Sequence, residues 1–268
     1  MQTARHLAKN PYFFTALIVA VIAAVNVASV GTAIALPDVP RTVLELLAEL
    51  ILAALAIALL TALRSWRQVG FRALPRLRDL RLYWVPLLPV LPVVWVAIVS
   101  ISRMRFEEVV LFLVLACLIG FVEEVFFRGL ILQALAPMGL WRAAILSSIV
   151  FGAMHLLNLL YGADLVATLL QVAYATAMGF GFAAVTLRTG VLWPLIVIHA
   201  LIDLAGFVTS EGTVTTSVTS TDIVIYLLYF VVFTAYGFFM MRSIARRPAQ
   251  RPPDTQPAQA TEEPTRDR

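Results

Sequence analysis

The chain has 268 residues, of which 61% are hydrophobic and 13% are charged, and its mean hydropathy is +0.90. Soluble globular domains are about half apolar and about one-quarter charged, so this composition excludes an ordinary soluble domain and predicts a membrane protein. The formal net charge of +4 does not indicate a nucleic-acid partner, because the basic residues fall in loops and in the C-terminal tail. Cys117 is the single cysteine, which excludes an intrachain disulfide.

Apolar runs long enough to cross a bilayer recur along nearly the whole sequence. A spanning helix needs about 20 mostly apolar residues. Eight runs meet this requirement and predict spans at about 11–36, 42–63, 82–101, 106–133, 142–160, 164–187, 191–208 and 222–241. The first run is longer than the roughly 7–15 residues of a signal-peptide core, so we expect it to remain in the protein. The predicted fold class is an all-α membrane protein, a polytopic bundle of about eight transmembrane helices.

The basic residues predict how this bundle is oriented. With the N-terminus inside, sixteen Lys and Arg residues fall on the inner side and three, Arg41, Arg103 and Arg105, fall on the outer side. Cytoplasmic loops carry such an excess of positive charge, so both termini are expected in the cytoplasm. The expected location is a bacterial cell membrane. The basic loop 64–81 is expected to lie on anionic lipid, and the polar stretch 248–268 is expected to be a disordered cytoplasmic tail.

Ionisable side chains within the predicted spans are few, and each carries a free-energy cost. An insertion scale puts the cost of each at the centre of a lone helix at about 2.5–3.5 kcal/mol, so such residues usually face the bundle interior and mark functional sites. Two of them, Glu45 and Glu49, lie near the outer end of the second span, where we expect them to reach interfacial water. The remaining six are Glu123, Glu124, Arg128, His155, His199 and Asp203.

The stretch FVEEVFFRGL, residues 121–130, contains three of these charges. Glu124 and Arg128 are spaced i, i+4 with the Glu first, which favours a salt bridge on one face of a helix. Glu123 lies about 100° away around the helix. We therefore expect one glutamate to be neutralised and structural, while Glu123 stays free for chemistry.

Two later spans carry histidines at similar depth. His155 follows Phe151 by one helical turn, and His199 precedes Asp203 by one turn. Two intramembrane histidines, a nearby carboxylate and a free glutamate indicate a shared site near the midplane. Glu123 could take a proton from water while a histidine positions that water, and a second histidine could stabilise an oxyanion. Alternatively, His155, His199, Glu123 and Asp203 are candidate ligands of Zn²⁺, which would activate water itself. The sequence leaves both routes open.

These residues resemble the motifs of the CPBP family, the CAAX-protease and bacteriocin-processing intramembrane proteases, also called the Abi family. The family's EExxxR, FxxxH and HxxxN/D motifs stand here as Glu123–Arg128, Phe151–His155 and His199–Asp203. The resemblance covers mainly 106–208, the motif core. It implies a transmembrane protease domain over 1–247, with Glu123 as general base, Glu124 paired with Arg128, His155 as water partner and His199 with position 203 on the oxyanion side.

The resemblance also implies a substrate class and leaves the role of one residue, Asp203, open. The substrate would be a membrane-associated protein or peptide, and the enzyme would be of the metallo- or the glutamate type. Position 203 is Asp where Asn would be expected for prenyl-protein processing. An ionised Asp only accepts hydrogen bonds, so Asp203 could orient His199, donate when protonated, or bind metal.

Two other classes of protein use similar residues. A proton-coupled transporter could relay protons through midplane carboxylates and histidines, but the sequence shows no inverted repeat with broken spans. A non-catalytic immunity or scaffold protein could keep this fold without its activity, although the three intact motifs argue against it.

Overall fold

The computed structural model describes residues 10–72, 77–91, 94, 104–210 and 218–245, and these ranges contain helices and turns but no strand. Within these ranges, seven helical segments are long and apolar enough to cross a membrane. They are Pro11–Ala35, Arg41–Ala62, Phe106–Met138, Leu140–Tyr161, Leu165–Thr189, Trp193–Ser210 and Ser220–Ala245. The all-α polytopic fold class is confirmed, and these segments begin and end within about five residues of the predicted spans.

The helices are labelled in chain order. They are α1 (Pro11–Ala35), α2 (Arg41–Ala62), α3 (Trp84–Leu87), α4 (Phe106–Glu123), α5 (Leu132–Leu135), α6 (Leu140–Met154), α7 (Leu165–Thr189), α8 (Trp193–Ser210) and α9 (Ser220–Ala245). A π-helix, Glu124–Ile131, joins α4 to α5, and a 3₁₀ helix, His155–Tyr161, extends α6. Residues 92–93 and 95–101 of the predicted span 82–101 lie outside the described residues, as do most of the predicted outer segment 209–221 and all of the tail 248–268.

Short polar or glycine-containing turns set the helix boundaries. Asn10 caps α1 by accepting from the backbone N–H of Phe13, and Asp164 caps α7 by accepting from Ala167. Gly162 and Gly190, with φ of +82° and +66°, end the segments before them in the left-handed conformation that glycine tolerates. These tight turns leave room only for antiparallel neighbours.

The three sequence motifs lie on α4 and the π-helix that follows it, on α6 and the 3₁₀ helix that extends it, and on α8. Helix α7 packs against both α6 and α9, while α4 packs against α8 and α2. The α4–α8 contact is close at Gly120, where an added Cβ would lie 2.9 Å from the backbone N of Ala200 and 2.9 Å from the backbone O of Ile196. This approach brings the helix of Glu123 against the helix of His199.

The outside of the bundle is apolar. Large hydrophobic side chains such as Leu47, Ile51, Val114, Leu169 and Phe239 are exposed on the surfaces of the spanning helices. Soluble proteins seldom expose apolar surface on this scale, whereas lipid requires it. The chain is therefore an integral membrane protein.

Candidate functional site

Glu124 and Arg128 form a fully buried ion pair. The Nη1 atom of Arg128 lies 2.9 Å from Oε1 of Glu124, and the two side chains are 1% and 0% exposed. The predicted pairing is thus present, but the backbone that carries it is a π-helix rather than the predicted α-helix. Short π-helical segments occur frequently at functional sites, because they shift side chains out of the regular α-helical register.

Aromatic rings enclose the Arg128 guanidinium. Its Cζ lies 3.9 Å from the ring centroid of Phe151 and 5.5 Å from that of Phe182. The aromatic faces attract the cation where water cannot reach it. Gly179 makes this arrangement possible, because a Cβ there would lie 3.0 Å from Phe151 and 3.1 Å from Nη2 of Arg128.

His199 links both adjacent glutamates. Its Nδ1 lies 2.8 Å from Oε1 of Glu124, and its Nε2 lies 3.2 Å from Oε2 of Glu123. Nε2 is also 3.8 Å from Oδ2 of Asp203, which is beyond hydrogen-bond distance. Ionised carboxylates only accept hydrogen bonds, so the two short contacts are both hydrogen bonds when the imidazole carries both of its protons.

His155 is held by the residue one turn before it. Its Nδ1 lies 3.1 Å from the carbonyl oxygen of Phe151, and because a carbonyl only accepts, Nδ1 is the donor. Nε2 is then the ring atom left for another partner. The Phe151 ring stands edge-on to both histidines, with centroid distances of 5.1 Å to His155 and 6.0 Å to His199. The Phe of the second motif therefore packs against both imidazoles.

A cavity of about 700 Å³ connects the motif residues. Its wall includes Glu123, His155, His199 and Asp203. The side chains of Glu123 and Asp203 are 27% and 22% exposed, in contrast to the fully buried Glu124. The cavity extends to one end of the bundle, where its wall includes Arg41, Ala163, Ser210 and Asp222 near the ends of their helices.

The two glutamates of α2 also line this cavity. Glu45 Oε1 accepts a hydrogen bond from Nε of Arg41 at 3.1 Å. Oε2 of Glu49 is buried and has no hydrogen-bond partner among the described residues. From the sequence, we expected both glutamates to reach interfacial water. In the structure both line the same cavity wall as Glu123 and Asp203.

The structure thus brings all six predicted residues into one region. The direct contact between His199 and Glu124 was not predicted. The two residues are 75 positions apart, and local sequence patterns do not indicate contacts between distant segments. The expected partner of His199 was Asp203, one turn away, but the two glutamates lie closer to its ring. A signal for Glu49 was present in the sequence, since a carboxylate within a span usually faces the interior.

A metal centre needs at least three ligands converging on one point. No group of three His, Cys, Asp or Glu side chains within the described ranges could hold a metal ion. Both nitrogens of His199 are already engaged by carboxylates in this arrangement. The side chains as placed therefore do not fit the Zn²⁺ alternative, and no step is assigned to a metal.

Fold and site together define the class of protein: an integral membrane protein with buried carboxylates and histidines at a cavity within its bundle. The family model described as Rce1-like, Type II CAAX prenyl endopeptidase Rce1-like, matches residues 105–205, which contain all three motifs. The match confirms the resemblance to the CPBP family of CAAX proteases and suggests protease activity of the CAAX type. No curated protein and no solved structure matches the chain.

Proposed function

We propose that the protein is an intramembrane endopeptidase that hydrolyses a peptide bond of a membrane-associated protein or peptide by glutamate-activated water. The observation that carries the proposal is His199, whose two ring nitrogens contact the buried Glu124 and the cavity-lining Glu123. A histidine fixed in this way can hold a catalytic carboxylate and present a polar N–H at the cavity. The family match at residues 105–205 favours this function over a transporter or a non-catalytic partner.

Glu123 acts as the general base in this mechanism. Its carboxylate is partly exposed to the cavity, whereas Glu124 is committed to Arg128 and His199. Glu123 takes a proton from a water molecule as the water oxygen bonds to the substrate carbonyl carbon. His155 holds this water through Nε2, because Nδ1 is engaged by the Phe151 carbonyl. The proton taken up by Glu123 then passes to the amine that leaves when the C–N bond breaks.

His199 stabilises the negative charge that forms on the carbonyl oxygen. Glu124, neutralised by Arg128, fixes the imidazole at Nδ1, and the Nε2–H, which contacts Glu123 in this structure, turns to the oxyanion as Glu123 takes up its proton. A preorganised N–H donor aimed at an oxyanion is worth about 2.7–4 kcal/mol in other hydrolases. Glu124 and Arg128 are positioning residues here, because they act through His199 rather than on the substrate.

Glu123→Gln tests the proposal. The amide keeps the shape of the side chain but cannot accept the proton from water, so cleavage should fall by at least about 100-fold. The purified variant should retain the thermal stability of the parent protein in detergent. Cleavage would be followed as release of one fragment from a membrane precursor, identified by comparing the membrane proteomes of cells with parent and variant protein. Near-full cleavage of that precursor by Glu123→Gln would refute the general-base role.

A further inference from the structure

Several polar side chains of the cavity wall are paired with each other. Arg41 donates to Glu45 at 3.1 Å, and Nδ2 of Asn158 donates to Oε1 of Gln171 at 2.9 Å. Such pairing is expected, because an unpartnered polar group within a membrane is costly. These four residues therefore already have partners within the protein.

Glu49 is not paired in this way. Its Oε2 atom is buried without a hydrogen-bond partner among the residues that the structure describes. The charged groups that act on it are Glu123, Asp203 and Glu45, all of them carboxylates. Like charges add to the cost of a buried carboxylate instead of reducing it. A side chain kept in so unfavourable a place indicates a partner that arrives with the ligand.

The charge of the cavity identifies the chemistry of that partner. The arginine of the described wall, Arg41, is already paired with Glu45, and the imidazole of His199 is shared between two glutamates. Oδ2 of Asp203 likewise has no hydrogen-bond partner in the described part of the chain. The unpaired charge of the cavity is therefore negative and favours a cation.

We propose that Glu49 is a substrate-binding residue that pairs with a cationic group, an ammonium or a guanidinium, of the peptide substrate. The proposal rests on the proposed function and specifies its substrate class: a segment with a Lys or Arg near the scissile bond. Glu49 lies eight residues along α2 from Arg41, or about 12 Å at 1.5 Å per residue. The basic residue of the substrate would thus sit between the cavity mouth and Glu123.

Peptide binding to the inactive protein tests this inference without relying on cleavage. Fluorescein-labelled apolar peptides would each carry one Lys at a different position, and a matched set would carry Gln instead. Their affinities for the full-length Glu123→Gln protein in detergent would be measured by fluorescence anisotropy. At least one Lys peptide should bind about tenfold more tightly than its Gln counterpart, and Glu49→Gln in the same background should remove the difference.

Matched variants keep the result interpretable. Glu107→Gln, which replaces an exposed glutamate paired with Arg105, should retain the Lys preference. Glu49→Lys should reverse the preference toward a peptide with Glu at the same position. The inference is wrong if the Lys peptide binds no more tightly than its Gln counterpart at every position tested. It is also wrong if the preference for Lys survives Glu49→Gln. Cleavage of the same peptides by the parent protein is scored separately, so loss of the binding preference and failure of the proposed function are distinguishable.

Discussion

His199 places two neighbouring glutamates in different environments. Its Nδ1 contacts Glu124, whose side chain is 0% exposed, and its Nε2 contacts Glu123, whose side chain is 27% exposed. The Glu124 carboxylate is buried against Arg128 and the imidazole, whereas the Glu123 carboxylate reaches a cavity where it can meet water. Two chemically identical side chains thereby acquire different capacities from their surroundings alone.

Asp203→Asn separates the three roles left open for this residue. Oδ2 of Asp203 lies 3.8 Å from Nε2 of His199, so Asp203 does not hold the ring by a hydrogen bond. An Asn amide can donate to an oxyanion where an ionised carboxylate cannot. We therefore expect Asp203→Asn to retain or raise cleavage activity, measured together with zinc content. Parallel loss of activity and zinc would establish a metal ligand, and a metal-independent loss would show that Asp203 stabilises the charged His199.

Arg128→Ala should destabilise the whole protein. The substitution leaves Glu124 buried without its cation and removes the guanidinium from between two aromatic rings. Removing one partner of a buried ion pair costs about 3–5 kcal/mol, so expression and thermal stability in detergent should both fall. Arg142→Ala, at an exposed arginine, is the matched control and should behave like the parent. Equal stability of the two variants would argue that Glu124 does not depend on Arg128.

Local spacing predicted some of these contacts and missed others. The i, i+4 spacing of Glu124 and Arg128 is enough to predict their pairing, because neighbours on one helix meet whatever the rest of the fold does. The contact between Glu124 and His199 depends on how α4 and α8 pack, and no local pattern encodes that. The same applies to Glu49, whose place in the cavity is set by the packing of α2 against α4.

At the level of the elements, the π-helix is the main departure from the predicted structure. Residues 124–131 were predicted as a continuation of an α-helix, and all eight are buried. Apolar composition and helix propensity are the same for both helix types, so the sequence alone cannot separate them. The ends of the spans were predictable because hydropathy changes sharply at the turns.

Gly120→Ala tests the close packing of α4 against α8. The new Cβ would lie 2.9 Å from two backbone atoms of α8, and backbone cannot rotate away as a side chain can. Overpacking of this kind costs about 1–3 kcal/mol. It should also lower activity by moving His199 away from Glu123. Thermal unfolding in detergent and a cleavage assay would measure both effects.

Gly31→Ala is the control for that experiment. Gly31 lies in α1 with nothing within 4 Å of an added Cβ, so its substitution should leave stability and cleavage unchanged. Equal stability and activity of the Gly120→Ala and Gly31→Ala variants would contradict the prediction. It would show that α4 and α8 can move apart at little cost.

At the scale of the whole molecule, the mouth of the cavity and the basic loop after α2 lie at opposite ends of the bundle. The cavity wall reaches Arg41, Ala163, Ser210 and Asp222 at one end of the bundle. The basic loop that begins at Arg64 follows α2 at the other end. Because basic loops stay in the cytoplasm, the cavity is expected to open toward the outer side of the membrane. A substrate would then present its scissile segment from that side or from within the outer half of the bilayer.

Cysteine labelling tests this orientation directly. In a Cys117→Ala background, Thr215→Cys should react with a membrane-impermeant maleimide in intact cells, because the polar segment 209–221 is expected outside. Gln68→Cys, exposed in the basic loop, should react only after permeabilisation. The reverse pattern would place the cavity mouth in the cytoplasm and the arginine-rich loop outside, against the positive-inside asymmetry. It would leave the hydrolytic mechanism intact, because the positions of Glu123, His155 and His199 relative to one another do not depend on which side the cavity faces.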